Sequence, residues 1–318
     1  MTPDAIIECV PNFSEGTDAE KVRQIVAAMR VEGVRLLDWS LDVAHNRSVV
    51  TIAGSPTAVV EAAVQAVGAA AQRIDLTRQT GVHPRIGAAD VVPFVPVSGV
   101  SLAECAMLSR QAGLQIWRRY GVPVYFYGAA ATRPDRVQLE DVRRGQFEGL
   151  RELAVKDTAR RPDVGGPGLH PTAGASAVGA RSFLIAYNIY LEPIVPEGAT
   201  AAPPVDVAVA RAIAREIRAS GGGMHGVKAI GVMANGKAQV SMNITDFTVT
   251  PVRKVHAAVQ QLATRHGVRT GPGELIGLIP AAAYEPDSDW ARQIDGFDPA
   301  EKILEQRLQA PMDWPSAG

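Results

Sequence analysis

Apolar and polar positions along the chain fall into blocks whose period alternates between that of strands and that of helices. Residues 5–10, AIIECV, are apolar and partly β-branched. Pro11 and Asn12 interrupt them as turn residues do, which predicts a first strand. Val22, Ile25, Val26 and Met29 then recur at helical spacing. With Thr17 and Glu20 in capping-box positions, they predict a helix over 18–30 that ends at Gly33. Short strands are expected at 34–38 and 48–53, with the polar loop SLDVAHNR between them. Ser55-Pro56 opens a helix to about residue 74, because proline at the first helical position gives up no needed N–H. VVPFVPV at 91–97 closes the block as a strand, and its two prolines predict a sheet edge because proline cannot donate to a ladder.

This β-α-β-β-α-β order recurs in the second half. RSFLIAYNIYL at 181–191 predicts a strand, and Val205, Val209, Ile213 and Ile217 stripe a helix. VKAIGVM and KAQVSMNITDF flank Asn235-Gly236, a hairpin-turn dipeptide. Thr250-Pro251 opens a helix carrying Val252, Val255, Val259 and Leu262, and ELIGLIP is the final strand. The pattern predicts an α+β protein of two ferredoxin-like (βαββαβ) subdomains, 1–178 and 179–318. Between the two blocks lie a helix at about 101–120, the strand PVYFYG and one charged helix at about 139–156. The Gly/Pro-rich stretch RRPDVGGPGLHPTAGASAVGA follows, and composition leaves it open as a linker or a binding loop. A second such stretch, IVPEGATAAPPVD, is expected to be a plain surface connection.

Composition narrows the function classes. The 318 residues are 47% hydrophobic, and 32 Lys+Arg against 33 Asp+Glu leave a formal charge of -1, as in soluble globular proteins. Cys9 and Cys105 are too few for a disulfide framework and predict a reducing, cytoplasmic setting. No signal peptide and no membrane-spanning run is expected. Near-neutral charge with 5% aromatics argues against nucleic acid as partner and for a small molecule.

Of six histidines, His256 and His266 lie on a predicted helix with surface or helix-end roles expected, and His225 has no nearby partner in sequence. His45 sits in DVAHNRS and His83 in GVHPRIGAAD, where polar groups, glycines and Arg85 gather in loops. A loop imidazole can take and return a proton near neutrality, which makes these two the acid/base candidates beside the alternative of solvated loop residues. No HxxxH or HExxH spacing is present, so no metal is expected. GGPG at 165–168 fits neither GxGxxG nor the P-loop pattern.

IIECVPNFSEG, HNRSVVTIAG, GVHPRIGAADVVPFVPV, PVYFYG, GARSFLIAYNIYL and VSMNITDF together resemble the formiminotransferase domain of glutamate formimidoyltransferases, almost from end to end. The resemblance implies transfer of a formimino group between N-formimino-L-glutamate and tetrahydrofolate in histidine degradation and one-carbon metabolism. It also implies folate in a cleft between two ferredoxin-like subdomains, and a homodimer. It places the catalytic acid/base on His83 of the HPR motif. The folate-binding loop falls on Gly165, Gly166, Pro167, Gly168, Leu169, His170, Pro171, Thr172, Ala173 and Gly174, with Ala173 where animal relatives carry Trp. Ser40 occupies the position of an acidic residue in some relatives, so two alternatives stand: Asp42, two positions on, orients His83 in its place, or the partner of His83 comes from elsewhere. The cyclodeaminase domain fused to animal versions is not expected in 318 residues.

Formimino transfer is attack by an amine on an amidine-like carbon, followed by expulsion of the other amine. One imidazole can deprotonate the first and protonate the second. Carboxylates of the substrates require cations, and Arg47, Arg85 and Arg181 are the motif-borne candidates. Asn12, Asn46, Asn188 and Asn243 are candidate amide contacts, with turn-capping or ladder roles as the alternative. Folate-dependent formyl transfer to or from glutamate on the same scaffold is the alternative reaction. A ferredoxin-like ligand- or RNA-binding module remains as the non-enzyme alternative, although no RNP1-type strand is present.

Overall fold

The chain forms, in order, β1 (Ile6–Cys9), β2 (Asn12–Phe13), α1 (Ala19–Ala28), β3 (Val34–Asp42), β4 (Arg47–Gly54), α2 (Pro56–Arg73), β5 (Ala89–Ser98), α3 (Leu102–Tyr120), β6 (Val124–Gly128), α4 (Leu139–Val142), α5 (Gln146–Lys156) and β7 (Ser176–Ala180). There follow β8 (Ile185–Pro193), α6 (Val207–Ile217), β9 (Val227–Ala234), β10 (Lys237–Ile244), α7 (Val252–Arg265) and β11 (Val268–Ile276), then three short helices. This computed structural model describes residues 4–43, 45–81, 83–195, 203–294 and 296–316. The middle of the expected connection IVPEGATAAPPVD lies outside the described residues. Among the described residues no helix is long and apolar enough to cross a membrane.

One compact unit comprises Met1–Ser182 with Ala310–Gly318, and the other Phe183–Gln309. A cut at 178/179 would pass through β7, which pairs parallel with both β5 and β6, so the boundary follows the strand's end. The last segment returns to the first unit, where Met312 N–H donates to Leu36 O (2.8 Å).

In the first unit β3 lies beside β4, β4 beside the interrupted strand β1/β2, and that beside β5, all antiparallel. β7 and then β6 extend the sheet in parallel. Alternation along the strands sends Val92, Phe94, Val124, Phe126 and Val178 to a core shared with α1, α2 and α3. It sends Val91, Tyr125, Tyr127 and Ala177 to a smaller cluster with Val142 of α4 and Leu150 of α5.

Several expectations are corrected. β5 is no edge strand: it has partners on both sides. Its prolines are tolerated because Val10 N–H reaches Pro93 O (3.2 Å), so the missing Pro93 donor faces the place where β1 and β2 are themselves broken at Pro11. Pro96 sits beside the register shift at Ile6/Ile7 and beyond the pairing with β7. The α1 cap is Asp18, which accepts from the Glu20 and Lys21 amides, while Thr17 bonds Glu15 instead. The loop is shorter than SLDVAHNR, since β3 runs to Asp42 and β4 starts at Arg47. The charged helix is two, broken before Gly145 (φ 92°). SAVGA, read within a loop, is the buried strand β7, and β8 begins only at Ile185.

In the second unit the sheet order is β11-β8-β10-β9, antiparallel throughout. Asn235 (φ 50°) and Gly236 (φ 74°) make the expected two-residue turn. Tyr187, Ile189, Leu191, Val240 and Met242 face α6 and α7. β11 begins at Val268 and ends at Ile276, earlier than ELIGLIP suggested. His256 is buried, its Nδ1 2.8 Å from the Tyr187 hydroxyl, because it falls on the apolar stripe of α7 beside Val252, Val255 and Val259.

Candidate functional site

The β3–β4 hairpin places Asp42 opposite Arg47, and Gly16 makes that arrangement possible. A Cβ on Gly16 would lie 2.3 Å from Asp42 O and 2.4 Å from Arg47 N, so only glycine lets the segment after β2 lie on the hairpin. Gly16 N–H donates to Asn46 Oδ1 (2.9 Å), and Asn46 Nδ2 donates to Thr80 O (2.8 Å). Asn46 is a tie between three chain segments. Its positive φ of 49° is one that Asn tolerates better than most residues. Gly81 completes the approach, since a Cβ there would meet His45 O at 2.9 Å. The segment leading to His83 is thereby held against the turn that carries His45.

His83, Arg47, Asp90 and Arg143 converge on one point. Arg47 Nη1 lies 2.7 Å from His83 Nδ1 and donates to Asp90 Oδ2 (2.9 Å), while Arg47 Nε donates to Asn12 Oδ1 (3.0 Å). Arg143, at the end of α4, donates to the same Asp90 oxygen. Asp90 is fully buried and its Oδ1 accepts from the Ile86 amide (2.8 Å). Burial opposes its ionisation, but Arg143 and Arg47 outweigh that and hold its carboxyl below the usual range. Burial lowers Arg47 to about 10, which leaves it a cation at neutral pH. Burial first, and then the charges of Arg47 and Arg143, push His83 from 6.5 down to about 3. The site therefore presents a neutral imidazole beside two guanidinium groups that share one buried carboxylate.

Of the residues nominated from sequence, the structure brings Asn12, Arg47 and His83 together, with Asn46 bracing them. Asp42 Oδ2 lies 2.6 Å from His45 Nδ1, so this carboxylate pairs with His45, whose ring stands edge-on to His83 with centroids 6.2 Å apart. Arg85 is only 8% exposed, and its Nη2 donates to Gln79 O (2.7 Å) and Glu148 Oε1 (3.0 Å). Arg181 bonds Ser182 O (3.0 Å) and lies close to Tyr127, whose hydroxyl burial raises to about 12. Asn188 and Asn243 belong to the second unit, on the sheet face opposite α6 and α7. Asp90 and Arg143 were not nominated. Asp90 stands inside the quoted motif GVHPRIGAAD, but Arg143 carries no signal beyond its place in RRG, where the helix breaks.

The loop at 165–174 lies in the first unit. His170 and Gly174 exchange backbone hydrogen bonds (2.9 and 3.0 Å), and His170 Nδ1 accepts from the Ala173 amide (3.0 Å). Thr172 O and Ala173 O accept from Leu76 N–H and Ala88 N–H, both at 2.9 Å, which joins the loop's end to chain on either side of His83. Ala173 is buried in the core, while Gly166, Pro167 and Pro171 are exposed. Among the described residues no group of three His, Cys, Asp or Glu side chains is arranged to hold a metal ion.

Residues 6–181 match the model of the formiminotransferase domain, N-terminal subdomain, and residues 204–290 that of the formiminotransferase domain. Glutamate formimidoyltransferase of Streptococcus pyogenes serotype M1 is 42% identical over 95% of this chain and 98% of its own. The protein of the same name from Thermoplasma acidophilum is 39% identical over 96% and 98%. Formimidoyltransferase-cyclodeaminase of Rattus norvegicus is 38% identical over 94% of this chain, which spans 59% of that longer protein.

Proposed function

The chain belongs to the formiminotransferase family, and on that premise we propose that it transfers the formimino group between N-formimino-L-glutamate and tetrahydrofolate, within histidine degradation and one-carbon metabolism. The observation that carries the reading is the neutral His83 imidazole beside Arg47 and Arg143. The attacking nitrogen must lose a proton and the departing nitrogen must gain one. His83 takes the first and returns the second, so neither a metal nor a covalent intermediate is needed.

The two guanidinium groups give an anionic substrate a local attraction that a chain of formal charge -1 lacks overall. Burial, and after it these same charges, hold the site imidazole far below its ordinary range. A substrate carboxylate arriving beside them offsets part of that field and raises the proton affinity of His83 when a proton is to be moved. The loop at 165–174 is the folate-binding element in this reading. Its exposed Gly166, between Gly165 and Pro167, offers close backbone approach to a flat ring, and the buried Ala173 methyl acts as packing. The βαββαβ order of each unit supports the ferredoxin-like description, with β6 and β7 added to the first. A cytoplasmic homodimer completes the proposal, as the family resemblance implies.

The deciding experiment incubates purified protein with tetrahydrofolate and either N-formimino- or N-formyl-L-glutamate. Formimino transfer should dominate, and His83→Ala should lower turnover by about 10² to 10⁴-fold while the protein remains folded. Preferential use of the formyl compound would reassign the transferred group. Near-normal turnover in His83→Ala would remove the imidazole from the mechanism.

A further inference from the structure

Two neighbours of His83 Nδ1 make opposite demands on it. Arg47 Nη1 lies 2.7 Å away and the Pro84 carbonyl oxygen 2.8 Å away. A guanidinium nitrogen only donates and a carbonyl oxygen only accepts, so a single ring nitrogen cannot bond both. With Nδ1 bare, it accepts from Arg47 and the ring proton resides on Nε2. With Nδ1 protonated, it donates to Pro84 O and Arg47 must withdraw. His83 Nε2 has no protein partner among the described residues, which leaves it as the nitrogen open to a ligand.

The surroundings favour the first state at rest. Arg47 is held by Asn12 and Asp90, and the two hydrogens of Nη1 suffice for Asp90 and His83 together. They also permit the second. Asp90 keeps Arg143 and the Ile86 amide when Arg47 turns away, so its buried carboxylate is not left unpaired.

Resting on the reading of His83 as the proton carrier, we infer that Arg47 is the positioning residue that sets its tautomer. In the free enzyme Arg47 keeps the proton on Nε2. A ligand carboxylate that draws Nη1 away lets Nδ1 take up a proton and donate to Pro84 O, which turns Nε2 into the acceptor needed for the attacking amine. The ring stays neutral: Nε2 releases one proton to solvent and Nδ1 gains one from it. The base is thus exposed only when the anionic substrate is in place.

The test is ¹H–¹⁵N spectroscopy of histidine-labelled protein near neutral pH, with the His83 signals identified by their loss in His83→Gln. Free wild-type protein should show an unprotonated Nδ1 and a protonated Nε2. Saturating N-formimino-L-glutamate should shift the ratio toward Nδ1–H by about tenfold or more, the scale of one charge-assisted hydrogen bond. Arg47→Met should show Nδ1–H without ligand. Arg143→Met, which removes the other cation from Asp90 but leaves the donor at Nδ1, should keep Nε2–H. A disturbance from charge or packing alone would move both variants alike, and that result overturns the inference. So does Nδ1–H in free wild-type protein, or a ratio that saturating substrate leaves unchanged. The wild-type titration stands even if Arg47→Met fails to fold. The readout needs no turnover, so inactivity of the wild-type protein, or activity of His83→Ala, would sink the catalytic reading separately.

Discussion

Arg85 and His83 are two residues apart, yet the fold uses them differently. Arg85 lies inward on Gln79 O and Glu148, and its own carbonyl accepts from Phe147 N–H (2.8 Å), so it links the His83 segment to α5. Arg85→Ala should therefore lower the melting temperature, by a loss of about 1.5–3 kcal/mol typical of hydrogen bonds to a charged group, with KM for the glutamyl substrate unchanged. Kinetics and melting curves on that variant would refute the structural role if KM rose while stability held. His83 supports a second prediction. Its folded value of about 3 lies below the 6.5 of an unfolded imidazole, so between those pH values the unfolded chain binds a proton that the folded site refuses. The stability contributed by neutral His83 is complete above about pH 6.5 and is lost as pH falls toward 3. His83→Gln should gain stability relative to wild type between about pH 7 and about pH 4.5 in paired urea melts. A difference that does not change with pH would show that the imidazole titrates normally.

At the scale of elements, what matters is where a segment ends and what it is tied to. The helix expected over 139–156 breaks at Arg143-Arg144-Gly145, and the break is what turns Arg143 toward Asp90. Unbroken amphipathic spacing hides this, because Gly145 needs its positive φ only in the folded context. Pro93 and Pro96 mislead for a related reason: a missing donor matters only if the neighbouring strand has an acceptor opposite it, and β1/β2 is broken beside Pro93 while Pro96 lies beyond the pairing with β7. The 165–174 loop has one half bonded to Leu76 and Ala88 and another half exposed at Gly166 and Pro167. If it holds folate, hydrogen exchange at 165–169 should slow when tetrahydrofolate is added, with smaller change at 170 and 172–174, whose amides are already bonded. Equal exchange with and without saturating folate would return the exposed half to a plain connection.

On the scale of the whole molecule, the two units carry different duties. The first assembles His83, Arg47, Asp90 and Arg143 together with the 165–174 loop. The second contributes a separate antiparallel sheet and the Asn188/Asn243 face. The first unit is also discontinuous in sequence, with Met312 bonded to Leu36 and with Met312 and Trp314 packed on its core. Truncation after Gln309 should destabilise the first unit by about 2–4 kcal/mol, the scale of uncovering two large apolar side chains. A two-probe urea melt would show it, and an unchanged transition would mean that the segment adds nothing to the core.

Hydrophobic period alone determined the α+β class, the doubled βαββαβ order and most helix spans, because burying one face requires a repeat of about 3.6 or 2 residues wherever the chain lies. The long motifs determined the family and put forward His83, with Arg47, Arg85 and Arg181 as equal cation candidates. Tertiary structure decided the rest. It set Arg85 apart from the site, paired Asp42 with His45, and made β7 out of a small-residue stretch read as loop. It also joined Asp90 to Arg143, residues 53 positions apart. Such pairings depend on which segments a sheet and a helix break bring to one point. Local spacing cannot encode them, since a guanidinium and a carboxylate attract wherever the fold places them within reach.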